Sequence, residues 1–231
     1  DAPAGADAVV PVEDTDAAPG QAALPGEVAV RAAAPVGANI RRAGSDVPAG
    51  APLLPAGFAI GPATVALLGA TGHATVEVHR RPHVAVVSTG DELVPLGEPL
   101  GPAQIYDSNG PALAAQARAA GAEVRRLGIA RDTLPDLLGL LGEAVAWADV
   151  VVLSGGVSVG AHDHVKTAFA TLGTMSLWRV AIKPGRPFAF GRARAGERDV
   201  ALFGLPGNPV SGFVTCELFV RPMLRALAGH A

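Results

Sequence analysis

The chain has 231 residues, 49% of them hydrophobic and only 4% aromatic, enough for an aliphatic core in one large domain or two small ones. Its net charge of −3 gives no electrostatic basis for binding nucleic acid or an acidic membrane surface. A single cysteine, Cys216, excludes an intrachain disulfide and a cysteine zinc cluster, and no apolar stretch reaches the ~18 residues of a transmembrane helix.

Residues 1–81 carry short apolar runs at Ala8–Val10, Val28–Val30, Leu53–Leu54 and Val76–Val78, separated by Pro-Gly and Pro-Ala-Gly turns. That pattern predicts small β-rich segments with short antiparallel strands. One helix is expected over Gly61–Leu68, with Pro62 in its first turn and Gly69 near its end.

At Pro82 the pattern changes, and residues 82–231 read as a second domain. Strands are expected at Val84–Val87, Val124–Ile129, Val150–Leu153, Leu177–Ile182, Phe188–Phe190 and Val200–Leu205. Helices are expected at Pro111–Ala120, Thr133–Ala146 with Asp132 as cap, His164–Leu172 and Pro209–Ala228. Strands alternating with helices of this length define an α/β, doubly wound, mostly parallel sheet, with a possible edge hairpin around Pro187 and Gly196.

Three of these strands run into polar loops rich in glycine or proline: Ser154–Asp163, Lys183–Pro187 and Leu205–Ser211. The carboxyl ends of parallel strands share one edge of a sheet, where ligands bind. Glycines admit close backbone approach, and successive N–H groups cradle anions. Ser154–Gly160 reads as a phosphate loop or as a plain structural turn, and it matches neither the Walker A nor the dinucleotide-binding glycine pattern. Asp163 reads as a helix N-cap or as a Mg²⁺ ligand beside phosphate. Asp91 and Glu92 follow Val84–Val87 in the same way, as a solvated cap or as metal ligands. Lys166 and Lys183 are the only lysines among 18 basic residues. Lys183 and Arg186 flank Pro184-Gly185, a stiff loop carrying two cations suited to an oxyanion.

Gly5–Val10, Asn39–Asp46, Ser88–Leu93, Gln104–Asn109, Ser154–Gly160 with Asp163, Lys183–Pro187 and Leu205–Ser211 occur in that order. Together they resemble the MoeA family, the molybdopterin molybdenumtransferases related to the gephyrin E domain. The resemblance implies a transferase of molybdenum cofactor biosynthesis. It would cleave adenylylated molybdopterin with Mg²⁺, release AMP and insert molybdenum from molybdate, working as a cytoplasmic homodimer.

Carried over by position, the resemblance implies catalytic roles for Asp46, Glu92, Asp163 and Lys183, with Glu92 and Asp163 on the metal. It places Thr89, Gly90, Gly155, Gly156, Ser158, Arg186, Pro206, Gly207, Asn208 and Ser211 around molybdopterin, nucleotide and molybdate. Arg186 stands where the family often has lysine. The chain starts at Asp1 without Met, and the expectation is a fragment lacking the family's N-terminal region and C-terminal domain. Two other readings are a gephyrin-type binding scaffold and a MogA-type molybdopterin adenylyltransferase; the residues before Pro82 speak against the second.

Overall fold

The computed structural model describes residues 3–17, 26–157 and 164–230. The chain divides into two compact units, Asp1–Pro55 and Ala56–Ala231, so the division falls ahead of the change of pattern at Pro82. Among its described residues the first unit has a 3₁₀ turn at Val12–Asp14 and one isolated antiparallel bridge, Thr15 to Val30. The short strands expected there are otherwise irregular backbone. Val9, Val28 and Val30 are exposed, so no packed face rewards extended pairing of these runs.

In the second unit, helix α1 spans Pro62–Ala70 behind Gly61, with Pro62 in the first turn as expected. Strand β1 (His83–Thr89) is followed by two short strands, β2 (Leu93–Val94) and β3 (Ile105–Tyr106), which pair with each other. Helix α2 (Asn109–Ala119) leads to β4 (Glu123–Ala130), and α3 (Leu134–Trp147) to β5 (Val150–Ser154). Helix α4 (His164–Leu172) leads to β6 (Gly173–Trp178), then β7 (Ala189–Ala195) and β8 (Arg198–Leu205). The last helix starts as α5 (Pro209–Thr215), widens into a π segment at Cys216–Val220 and continues as α6 (Arg221–Leu227).

The main sheet has the order β4-β1-β5-β8-β7-β6. The first four strands are parallel, and β7 runs against both neighbours. The strand expected at Leu177–Ile182 lies earlier, at Gly173–Trp178. The expected hairpin forms between β7 and β8 at the Gly196 turn, but not at the edge, because β6 pairs on the outer side of β7. Because β6 and β8 are both antiparallel to β7, the carboxyl end of β6 reaches the same edge as those of β1, β5 and β8.

Alternation in the strands builds two cores. Val84, Val86, Val150 and Val152 face α2 and the C-terminal helix through Leu113 and Leu224. Ala85, Val87, Val151 and Leu153 face α3 and α4 through Leu137, Leu141 and Phe169. The strands buried on both faces therefore read as continuous apolar runs. β4, at the edge, keeps polar residues and carries a bulge at Leu127, between the paired Arg126 and Gly128.

The expected cap of α3 shifts by one residue. Thr133 is the N-cap, its side chain accepting from the Asp136 N–H. The Asp132 carboxylate instead accepts from the Thr89 hydroxyl, 2.8 Å away.

Candidate functional site

Strand direction delivers loops after β1, β5, β6 and β8 to one edge of the sheet. One backbone hydrogen bond and close glycine approaches bring parts of these loops together. The Gly155 N–H donates to the Leu205 carbonyl at 3.0 Å, joining the loops after β5 and β8. Gly155 has φ +97°, and a Cβ there would lie 2.4 Å from the Thr89 carbonyl oxygen. The approach of the β5 loop to the β1 loop therefore requires glycine. Gly185, at φ +111°, has the same role in the β6–β7 loop, where a Cβ would meet the Thr215 methyl at 2.7 Å.

That loop continues the β6–β7 hairpin through two further bonds, Arg179 N–H to Phe188 carbonyl at 2.7 Å and Val180 N–H to Arg186 carbonyl at 3.2 Å. It exposes both Lys183 and Arg186. Neither cation has an ion-pair partner among the described residues, so both are available to an anion.

Asn208 caps α5, its side-chain carbonyl accepting from the Ser211 N–H at 3.2 Å and lying 3.4 Å from the Ser211 hydroxyl. This fixes the Pro206–Asn208 turn and leaves the Asn208 amide N–H groups without a protein acceptor among the described residues. Thr89, expected near the ligand, uses its hydroxyl on Asp132. The Asp132 N–H in turn donates to Asp91 at 3.1 Å, so the β1 loop is braced against the start of α3.

Glu92 is exposed, with its carboxylate folded beside Gly90: a Cβ on Gly90 would sit 2.7 Å from Glu92 Oε2. Asp46 lies in the first unit, where its carboxylate pairs with Arg41. Ser158 and Asp163 lie outside the described residues. Among the described residues no group of three or more His, Cys, Asp or Glu side chains could hold a metal.

Two features of this edge were not assigned from the residues alone. The first is a cleft of about 380 Å³ between the β1 loop and β4, lined by Gly90, Asp91, Asp107, Arg126, Gly128 and Arg131 among others. In its wall Asp107 is buried, accepts from the Ser88 hydroxyl at 2.9 Å and the Gly110 N–H at 2.9 Å, and faces Arg126 at 3.4 Å. The second is Asn109, whose amide Nδ2 reaches both the Ser154 hydroxyl at 2.9 Å and the Gly207 carbonyl at 2.8 Å. Their signal was the polar run Asp107-Ser108-Asn109 between a short strand and a helix, which belongs to one of the recognised motifs.

Comparison with known proteins places this architecture. Residues 85–226 match the family model described as a probable molybdopterin binding domain, and residues 2–72 match the MoeA N-terminal region, domains I and II. The chain is 42% identical over 233 residues to a molybdopterin molybdenumtransferase 2 of Mycobacterium tuberculosis, covering 98% of this chain and 55% of that relative. It is 41% identical over 192 residues to the molybdopterin molybdenumtransferase of Haemophilus influenzae, covering 83% of this chain and 46% of the relative. The crystal structure of a molybdopterin biosynthesis MoeA protein from Pyrococcus horikosii is similar with a TM-score of 0.79 at 37% identity, over 96% of this chain and 53% of that one. The chain thus spans about half the length of the curated relatives it matches. Among the described residues no helix is long and apolar enough to cross a membrane.

Proposed function

The chain belongs to the molybdopterin-binding domain family, with the MoeA N-terminal region ahead of that domain, and from this we propose that its protein is a molybdopterin molybdenumtransferase. In this reading it takes adenylylated molybdopterin and molybdate, cleaves the phosphoanhydride with release of AMP, and inserts molybdenum into the dithiolene. Dependence on Mg²⁺, a homodimer and a cytoplasmic location belong to the same proposal.

One observation supports the reading above the others. The loops after β1, β5, β6 and β8 meet at one sheet edge, and there Lys183 and Arg186 are exposed and unpaired among the described residues. Diphosphate and molybdate are both anionic, and holding them side by side requires fixed positive charge and oriented donors. Lys183 supplies a compact ammonium and Arg186 a planar fork, both on a loop stiffened by Pro184 and Pro187. The Asn208 amide, without a protein acceptor among the described residues, supplies neutral donors for phosphate oxygens.

The donor set suits Mg²⁺ in one particular mode. Mg²⁺ commonly takes one or two carboxylates and completes its shell with water and substrate phosphate. Among the described residues the exposed Glu92 has no ion-pair partner. Glu92 and Asp163 would hold Mg²⁺, and when bound it would offset charge on the phosphoanhydride. The protein's own share is to hold the diphosphate on the glycine loops and to keep molybdate against Lys183 and Arg186.

The test is incubation of the protein with adenylylated molybdopterin, molybdate and Mg²⁺, with AMP followed over time. Molybdate-dependent AMP release is expected, and Asp163→Asn is expected to abolish it. ATP-dependent adenylylation of molybdopterin would move the protein to the MogA-type activity. Neither activity, with tight binding of a partner protein, would make it a scaffold.

A further inference from the structure

We propose that Asn109 is a positioning residue that locks the loops after β5 and β8 together, and that this lock sets the affinity of the edge for its anionic ligand. The second half of the proposal rests on the reading that these loops bind adenylylated molybdopterin; the first half does not.

The geometry carries it. A side-chain amide nitrogen has two N–H donors. Asn109 Nδ2 lies 2.9 Å from the Ser154 hydroxyl, the last residue of β5, and 2.8 Å from the Gly207 carbonyl in the turn after β8. One side chain therefore spans two loops that come from different strands. The Gly155 N–H donates to the Leu205 carbonyl at 3.0 Å on the same seam. Ser154 is buried at 2% exposure, so its hydroxyl depends on a protein partner rather than on bulk water.

The base of the lock is itself fixed. Asn109 is the first residue of α2, and the start of that helix is held from beneath. The buried Asp107 carboxylate accepts from the Gly110 N–H and from the Ser88 hydroxyl, each at 2.9 Å, which ties α2 to β1. Arg126 from β4 stands 3.4 Å from the other carboxylate oxygen. The chain of contacts runs from β4 and β1 through Asp107 to the helix start, and through Asn109 to the loops. A ligand bound across both loops then meets donors already in place and loses less in ordering them.

The experiment uses Asn109→Ala and Asn109→Asp in the whole chain. Asparagine and aspartate have the same size, and the carboxylate lacks both donors. Amide hydrogen exchange is measured at Gly155 without ligand, and affinity is measured with adenylylated molybdopterin and with AMP alone. Exchange at Gly155 is expected to quicken in both variants. Affinity for adenylylated molybdopterin is expected to fall about ten-fold, the scale of one or two lost hydrogen bonds. Adding Ser154→Ala to Asn109→Ala should cost little more than Asn109→Ala alone, because the partner bond is already gone. A residue that merely supported the fold would lower the melting temperature and leave exchange at Gly155 no faster than elsewhere.

Unchanged exchange at Gly155 in the Asp variant overturns the lock, whatever the ligand. Faster exchange with unchanged affinity overturns its role in binding. Failure of the unsubstituted protein to bind adenylylated molybdopterin overturns the proposed function instead, and the exchange measurement still decides the lock.

Discussion

The two edges of the same sheet treat charge in opposite ways. At the amino edge the charges at the feet of β5 and β8 are answered within the fold. Asp149, at the foot of β5 and only 7% exposed, accepts two bonds of 2.7 Å from Arg80 and one of 2.8 Å from the His83 N–H. Arg198, at the foot of β8, donates to the Val145, Ala146 and Ala148 carbonyls at the end of α3, where unpaired carbonyls collect. At the carboxyl edge Lys183, Arg186 and Glu92 stand exposed without an ion-pair partner among the described residues. Charges satisfied within the fold serve stability. Charges left open at a strand's carboxyl end are available to a ligand, which is why substitutions at the two edges should fail in different assays.

The largest expected effect belongs to the open edge. Lys183→Ala should lower molybdate-dependent AMP release about 100-fold, the usual cost of removing one charge-stabilising group. The melting temperature should stay within about 2 °C, as expected of an exposed site. A large fall in melting temperature with normal AMP release would reverse the assignment of the two edges. Gly155→Ala sharpens the contrast because it strikes backbone rather than charge. A Cβ placed 2.4 Å from the Thr89 carbonyl, at φ +97°, should cost about 2–3 kcal/mol in stability and weaken ligand binding together. Denaturant unfolding and titration with adenylylated molybdopterin measure the two losses. At the closed edge, Asp149→Ala removes charged hydrogen bonds from a buried carboxylate and should cost about 2 kcal/mol. AMP release per folded molecule should not change.

Most of the sheet was legible because buried parallel strands announce themselves. Val84–Val87, Val150–Leu153 and Val200–Leu205 are apolar on both faces, and the structure places all three in its interior. Composition favours a strand at Leu177–Ile182, the more apolar stretch, but the antiparallel pairing with β7 selects Gly173–Trp178. The first unit misled in the other direction, since short valine runs look like strands but lack a packed face. The site's loops were legible as glycine- and proline-rich strand ends. Asp107 and Asn109 were not assigned, because what they do depends on contacts to Ser88, Ser154 and Gly207, and chain order gives no hint of those distances. Asp132 shows the same limit. It reads as a helix cap until Thr89 is found 2.8 Å away.

The smallest effect to look for is the acid dependence of the closed edge. Burial by itself pushes the Asp149 carboxyl up, but the hydrogen bonds from Arg80 and the His83 N–H, with the Arg80 charge, hold it below its ordinary value. The same contacts raise Arg80, chiefly through its bond to Asp149. A carboxylate depressed in the folded state contributes stability that is complete above its unfolded pKa of about 3.9 and is lost as pH falls through the folded value. The contribution should therefore be flat from neutral pH down to about 5 and decline below about 4. Asp149→Asn keeps the shape and removes the titration, so its unfolding free energy should approach that of the unsubstituted protein as the pH drops toward 3. A parallel pair of curves for Asp149→Asn and the unsubstituted protein across this range would remove Asp149 from the account of the closed edge.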